Sequence, residues 1–325
     1  MSAPDRVLHK GADRMITYEQ VKGKPKLLRA MTGLDRAEFE ELLVPFATLW
    51  KDQVQQTARP ESDRQRQPGG GRKPALHTIA DKLLFILYYF KTYPLQEVLA
   101  FEFSMGQSQA CEWIHTLTPL LKQALAALQQ LPERLPAEVA VRLAASGERK
   151  FGLDGTERKI QRPKDAEEQR QYYSGKKHTH TVKNNVVVTL KSRKVKYLSQ
   201  TYEGKKHDKK ICDEEQPTFP PGSTLYQDTG FQGYAPPGVK VIQPKKKPRG
   251  RELSATDKRR NRQISKVRIV AEHVISGIKR CRIVKDILRN TKDGFADLAM
   301  EIACGLHNFR TERRSNQRGT IPYFR

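Results

Sequence analysis

The chain has 325 residues, of which 37% are hydrophobic, with 12 Phe, 11 Tyr and 2 Trp. That is enough apolar material for a buried core and excludes a globally disordered chain; the length suggests about two domains. Sixty Lys and Arg against thirty-six Asp and Glu leave a net charge of +24 and a pI near 9.9, an excess that argues against an ordinary metabolic enzyme and toward a polyanionic partner, nucleic acid or an anionic membrane face.

Met1 to Met15 is polar and mixed in charge, without the apolar stretch of a signal peptide. Residues 1–51 read as an N-terminal helical segment. Asp35 and Glu38 stand at the spacing of a capping box, and Leu34 and Phe39 at that of a hydrophobic staple. Residues 52–74, rich in Gln, Arg, Pro and Gly and ending in Pro68-Gly69-Gly70-Gly71-Arg72-Lys73-Pro74, read as a basic linker.

A helix-turn-helix region is expected over 75–148. Thr78 to Lys91 forms an apolar helix that Thr92-Tyr93-Pro94 breaks. Its run Leu83-Leu84-Phe85-Ile86-Leu87-Tyr88-Tyr89-Phe90 falls far short of the roughly 20 residues of a membrane span, so the membrane reading fails. Leu95 to Phe103, the turn Ser104-Met105-Gly106 and a helix from Gln107 to Thr118 make two short helices joined by a Gly-containing turn. Leu95, Val98, Leu99, Cys111 and Ile114 are the positions expected to pack the pair together. Gln107, Ser108 and Gln109 would then open the recognition helix, where amides and hydroxyls reach base edges or phosphates. A helical hairpin that serves only as core is the alternative; the net charge favours DNA.

From Lys150 the periodicity changes to that of strands, over 149–313. Lys150 to Asp154, Val182 to Leu190, Lys194 to Thr201, Ser223 to Asp228 and Lys240 to Gln243 are the expected strands, and Gln263 to Lys279 and Phe295 to Arg310 the helices. Strands followed by helices in one unit mean an α/β layer of sheet against helix. Residues 314–325 remain as a basic C-terminal tail. Between Lys240 and Lys285 sixteen Lys or Arg stand against three acids.

One of those acids, Glu272, lies on a polar helical stripe with Ser265, Arg268, Ser276 and Lys279, beside an apolar stripe of Ile264, Val267, Ala271, Val274 and Ile278. Alone it would read as half of a surface ion pair, worth about 0–1 kcal/mol. Asp154 and Asp228, however, each close an apolar strand, where a metal ligand is better placed than a solvated acid. Three carboxylates in a basic domain suit Mg²⁺, a hard cation that takes oxygen ligands and substrate phosphates. The lysines of Lys245-Lys246-Lys247, with Arg249, form a basic segment broken by Pro244, Pro248 and Gly250, suited to hold DNA or merely solvated. Glu157 falls on the opposite strand face from Asp154 by alternation. Asp208 reads as the cap of a helix starting near Lys209. His178 and His180 alternate along one strand face without a third ligand nearby, so DNA contact or packing is favoured over metal binding. Cys111, Cys212, Cys281 and Cys304 form no CxxC pair, supporting neither a zinc knuckle nor a disulfide framework. A cytosolic, reduced chain facing nucleic acid is expected.

The motifs Asp154-Gly155-Thr156, Tyr172-Tyr173-Ser174-Gly175-Lys176-Lys177-His178, His207-Asp208, Tyr226-Gln227-Asp228-Thr229-Gly230-Phe231-Gln232-Gly233 and Lys246-Lys247-Pro248-Arg249-Gly250 resemble the DDE-type transposases of bacterial insertion sequences, most of all insertion-sequence family five, whose nuclease is shared with Harbinger-type elements. The resemblance runs from about Lys150 to Arg310, and the preceding helices resemble the helix-turn-helix found before that nuclease. It implies a ribonuclease H-like fold with a triad of Asp154 on the first strand, Asp228 closing the fourth and Glu272 on the helix after the fifth. These would bind two divalent ions, Mg²⁺ with Mn²⁺ able to substitute. In the family's Tyr, Arg, Glu, Lys signature, Arg268 and Lys279 match as DNA contacts, but Ser265 stands where the Tyr would be. The resemblance also implies terminal inverted repeats and target DNA as partners, cleavage followed by strand transfer, at least a dimer, and a bacterial, cytoplasmic, nucleoid-associated setting. A transposase-derived DNA-binding protein that no longer cuts, or a host nuclease on the same fold, is the alternative.

Overall fold

The structure is a computed structural model and describes residues 15–57, 75–248 and 250–319. Arg249 and residues 58–74 of the expected linker lie outside the described residues. The chain divides into two compact units, residues 1–121 and 122–325.

The first unit is helical. Its helices are α1 (Tyr18–Val21), α2 (Pro25–Thr32), α3 (Arg36–Thr57), α4 (Ile79–Thr92), α5 (Gln96–Glu102) and most of α6 (Gln107–Ala127). The capping box at the start of α3 is present: Glu38 N–H donates to Asp35 Oδ1 at 3.0 Å and Asp35 N–H to Glu38 Oε2 at 2.9 Å. Leu34 and Phe39 are both fully buried, and Phe39 stacks on Tyr18. Helix α3 runs on through 52–57, so the expected linker begins later than its composition suggests. Helix α4 is the centre of this unit, with Leu83 through Leu87 and Phe90 fully buried. It ends where Tyr93 turns left-handed (φ 50°) ahead of Pro94.

Helices α5 and α6 flank the expected turn, in which Ser104 also has positive φ. The packing between them differs from expectation. Leu99 and Ile114 are buried, Cys111 is half-buried, and Leu95 (56% exposed) and Val98 (45% exposed) face outward. Helix α5 has only seven residues, and its inward line runs through Leu99, Ala100 and Phe103. Leu95 precedes the first turn in an extended conformation and Val98 falls off that line.

The second unit is built on a mixed sheet. Its strands are β1 (Lys150–Lys159), β2 (Tyr173–Ser174), β3 (Thr179–Thr189), β4 (Val195–Leu198), β5 (Tyr202–Glu203), β6 (Thr224–Gln227) and β7 (Lys240–Ile242). The order is β2-β3-β1-β6-β7, with β4 and β5 also on β3. Strands β1 and β3 are antiparallel, whereas β6 runs parallel to β1 and β7 to β6. Discounting the two-residue β2 and β5, these are the five expected strands, with a longer β1. Helix α7 (Val139–Ala144) precedes β1, and α8 (Ala166–Tyr172) and α9 (Asp208–Glu215) lie between the strands. After the sheet come α10 (Ala255–Ile278) and α11 (Phe295–Gly319). Helix α11 therefore takes in residues 314–319 of the expected tail.

The boundary between units falls earlier than the change of periodicity at 149 because residues after Leu121 belong to the sheet's core. Val139 and Leu143 of α7 pack with Phe151, Leu153, Val187, Tyr197 and Leu225. Glu133 N–H and C=O bond to β4 and its flank. The other side of the sheet is covered by α10, whose apolar stripe of Ile264, Ala271, Val274 and Ile278 is buried, with Val267 half-buried.

Gly204, just after β5, is fixed by close approach. A Cβ there would stand 2.7 Å from the carbonyl oxygens of both Thr181 and Tyr172, and backbone cannot rotate away as a side chain can. Gly204→Ala is expected to cost about 1–3 kcal/mol by overpacking, read as a lower urea midpoint by circular dichroism. An unchanged midpoint would show that β3 and β5 separate freely.

Candidate active site

Helix α10 reaches β1 closely because Gly152 has no side chain. A Cβ on Gly152 would lie 3.3 Å from Ala271 Cβ, and 3.2 Å from Val188 and Leu190. Asp154 is the next residue on that strand face and Glu272 the next residue along the helix, so this approach brings the two carboxylates to the same end of the sheet.

Asp154 accepts a hydrogen bond from Gly155 N–H at 2.9 Å. Burial raises its carboxyl from 3.8 to about 6; the Gly155 N–H and Arg268 oppose that rise, and the charges of Asp228 and Glu272 add to it. Asp228 follows β6 and caps the short turn Thr229–Phe231, accepting from Thr229 N–H at 2.7 Å. Arg268 Nη1 lies 3.3 Å from Asp228 Oδ1. The guanidinium is mostly buried and the carboxylate about half-exposed, so Arg268 stands as the counter-ion of Asp228. Glu272 is exposed on α10 and lines a cleft of about 520 Å³ with Asp154, Lys176, Lys177 and Lys279. Lys279 Nζ donates to Glu157 O at 3.3 Å. Burial first, then the charges of Lys177 and Arg158, lower its pKa from the usual lysine value.

Among the described residues no three His, Cys, Asp or Glu side chains are gathered closely enough to grip an ion together. The charges of Asp228 and Glu272 do reach Asp154, and the donors of all three are carboxylate oxygens, the chemistry that a hard divalent ion takes. The residues fit such an ion by donor type and by mutual repulsion at a half-buried acid.

Glu157 sits on the other face of β1, as alternation predicts, and its charge is already matched: Ser174 Oγ donates to it at 3.0 Å and Lys183 Nζ lies 3.0 Å away. Other expectations change. Asp208 is not a cap. His207 takes the N-cap position of α9 without a side-chain bond, and Asp208, in the first turn, points to Lys183 (3.4 Å) and to Gly155. His178 lies in a turn at φ 50° before β3, so it does not share a strand face with His180, which packs edge-on to Tyr173. Lys183, one lysine in an alternating strand, had no sequence signal. Lys176 and Lys177 lay inside a motif but without an assigned role.

The DNA-facing candidates are dispersed. Gln107 and Ser108 are exposed at the start of α6, with Gln107 donating to Gln96 of α5, and Gln109 is half-buried. Lys245, Lys246 and Lys247 are exposed, but Lys245 pairs with Asp257 at 2.7 Å and Lys247 with Glu252. Part of that basic charge is thus balanced within the segment.

The Glu157–Lys183 pair is mostly buried on both sides, so removing one partner strands the other. Lys183→Met is expected to cost about 2–4 kcal/mol, less than the roughly 3–5 of a fully buried pair. Adding Glu157→Gln should recover more than half of it in a double-mutant cycle; strictly additive losses would show that the two side chains do not depend on each other.

Residues 153–308 match the family described as DDE superfamily endonuclease, and residues 74–127 match the helix-turn-helix of DDE superfamily endonuclease. The chain is 26% identical over 249 residues to the probable transposase for insertion sequence element IS702 of Microchaete diplosiphon, an alignment covering 77% of this chain and 86% of that protein. No solved structure matches the chain. DDE superfamily endonucleases generally use divalent metals, and among the described residues no helix is long and apolar enough to cross a membrane. With a helix-turn-helix match ahead of an endonuclease match, the chain is similar in both regions to the DDE-type insertion-sequence transposases.

Proposed function

We propose that the protein binds the terminal inverted repeats of its element and carries out metal-dependent DNA cleavage and strand transfer at Asp154, Asp228 and Glu272. The observation that carries this reading is the electrostatic meeting of these three acids at one end of the sheet, with Arg268 against Asp228. Each carboxylate would contribute oxygen ligands to a pair of divalent ions, Mg²⁺ or Mn²⁺ in its place. Such a pair supplies Lewis-acid activation of the attacking oxygen and stabilisation of the leaving one.

The chain's own residues do the rest. Arg268 holds Asp228 in place and keeps excess negative charge tolerable before ions bind. Lys176, Lys177 and Lys279 line the cleft on the side where a scissile strand would lie, and Lys279 is anchored by the Glu157 carbonyl. Lys245, Lys246 and Lys247, with Arg249, extend positive charge ahead of α10. Cleavage and transfer are both in-line displacements at phosphorus, so one site serves both. Pairing of two element ends calls for at least a dimer. In the first unit, Gln107, Ser108 and Gln109 open α6 where a recognition helix meets the major groove.

Asp154→Asn, Asp228→Asn and Glu272→Gln are each expected to abolish Mg²⁺-dependent cutting of DNA that carries the element ends. Duplex binding should stay within a few-fold, because the amide keeps shape and loses only ligand charge. Near-normal cutting by any one variant removes that residue from the site.

Recognition by α6 has its own measurement. Gln107→Ala with Gln109→Ala should weaken binding to the terminal repeat by about 1–3 kcal/mol more than binding to random duplex. Equal losses on both DNAs would assign these side chains to phosphates, and no loss would make α6 a packing element.

A further inference from the structure

Helix α10 carries Glu272, Ser276 and Lys279 into the catalytic cleft. The residues one step along, His273, Gly277 and Arg280, line a different cleft of about 360 Å³, closed by α11 and by the turn between β3 and β4. Its cations are Arg193 from that turn, Arg280 from the end of α10, and Arg310 and Arg314 from α11, and among the described residues no carboxylate lines it.

Arg310 makes it a built site. It is 3% exposed, its Nη2 donates to Gly277 O at 3.1 Å, and its Nη1 is buried without a hydrogen-bond partner among the described residues. The Cys281 sulfur lies within reach of the guanidinium, while the charges acting on it from Arg314 and Arg280 have its own sign. A buried cation with a spare donor and like-charged neighbours is costly unless an anion completes it. The pocket owes its depth to Gly277: a Cβ there would stand 2.6 Å from His307 Cε1, so only glycine lets α11 approach. His307, whose Nε2 faces Arg193 O at 3.0 Å, has its pKa lowered to about 4, by burial and, after the opposing Arg193 contact, by Arg310, Arg280 and Arg314. The ring is therefore neutral at physiological pH and leaves the positive charge to the arginines.

We infer that this arginine cleft is a second phosphate-binding site of the nuclease unit, holding a backbone phosphate of DNA that passes behind α10, outside the catalytic cleft. Guanidinium suits this role because its planar fork pairs with phosphate oxygens in a bidentate way. One wall of the arginine cleft, His273, Val274 and Gly277, lies on the helix that carries Glu272, so a strand held there runs close to the carboxylates. The inference rests on DNA being the substrate, and its test reads binding rather than cutting.

The variants are Arg193→Gln with Arg280→Gln in the full chain, both exposed at the rim, where a substitution leaves the core packing untouched. Arg310→Lys, which keeps the charge and loses the fork, is the second. Duplex binding is titrated over a series of salt concentrations without divalent ions, with Lys150→Gln and Lys240→Gln as a pair that removes the same charge from the strand starts. The rim pair is expected to bind about tenfold more weakly and to flatten the log–log salt slope by about 0.9 for each phosphate that the cleft no longer holds. The Lys150 and Lys240 pair should change either by much less, and Arg310→Lys should weaken binding with little change in slope. An equal effect from both pairs, or none from the rim pair, overturns the inference. Inorganic phosphate is tested separately by its effect on the melting temperature. If it stabilises the wild type but not the rim pair while DNA binding is unchanged, the cleft holds a free phosphate and the DNA assignment falls. A wild-type chain that binds no duplex at all would instead defeat the functional reading on which the inference rests.

Discussion

The close approach of α10 to β1 over Gly152 is the constraint on which the rest of the second unit depends. With only a hydrogen at that strand position, Ala271 can settle onto the sheet at van der Waals distance, and a helix seated that closely has little freedom to rotate. Its phase is then set by the buried line Ile264, Ala271, Val274 and Ile278, and every other residue of α10 inherits an address from that phase. Glu272 is beside Asp154 for this reason and no other.

The same seating explains how a chain of net charge +24 tolerates three acids together. Asp154 is the acid that burial and its neighbours press hardest, and Arg268, one turn before Glu272, answers at Asp228. Glu157, only three residues from Asp154, is in the opposite state, paired and hydrogen-bonded by Lys183 and Ser174. Two carboxylates on one strand thus differ through what surrounds them: Glu157 is ion-paired, whereas Asp154 is half-buried and accepts only the Gly155 N–H among the hydrogen bonds of the described residues.

Much of this was legible in the sequence because it rests on local chemistry. Asp35 and Glu38 cap α3 through their own spacing, Pro94 ends α4, and the strand-closing positions of Asp154 and Asp228 follow from short apolar runs. What could not be read depends on side chains distant in sequence. Nothing near Lys183 tells that it lies between Glu157 and Asp208. Val98 carries an apolar side chain on a helix too short to reveal its own phase. Composition placed the start of the nuclease unit at the first strand, but α7 joins its core through Val139 and Leu143, contacts made with β1, β3 and β6 rather than with neighbours in the chain. Residues 52–57 look like linker by composition and are helical because α3 simply continues.

A helix that is fixed in phase on one side must present two different flanks to solvent, and in α10 both are used. Residues 272, 276 and 279 recur at helical spacing along the flank that faces Asp154, and 273, 277 and 280 recur at the same spacing along the other, the last of each set just past the helix end. The first set carries a carboxylate into a lysine-lined cleft; the second brings a glycine and an arginine against α11 to make an acid-free one. Gly277 and Gly152 are therefore linked in purpose, one admitting α11 to the helix and the other admitting the helix to the sheet, and the position of Glu272 is determined between them.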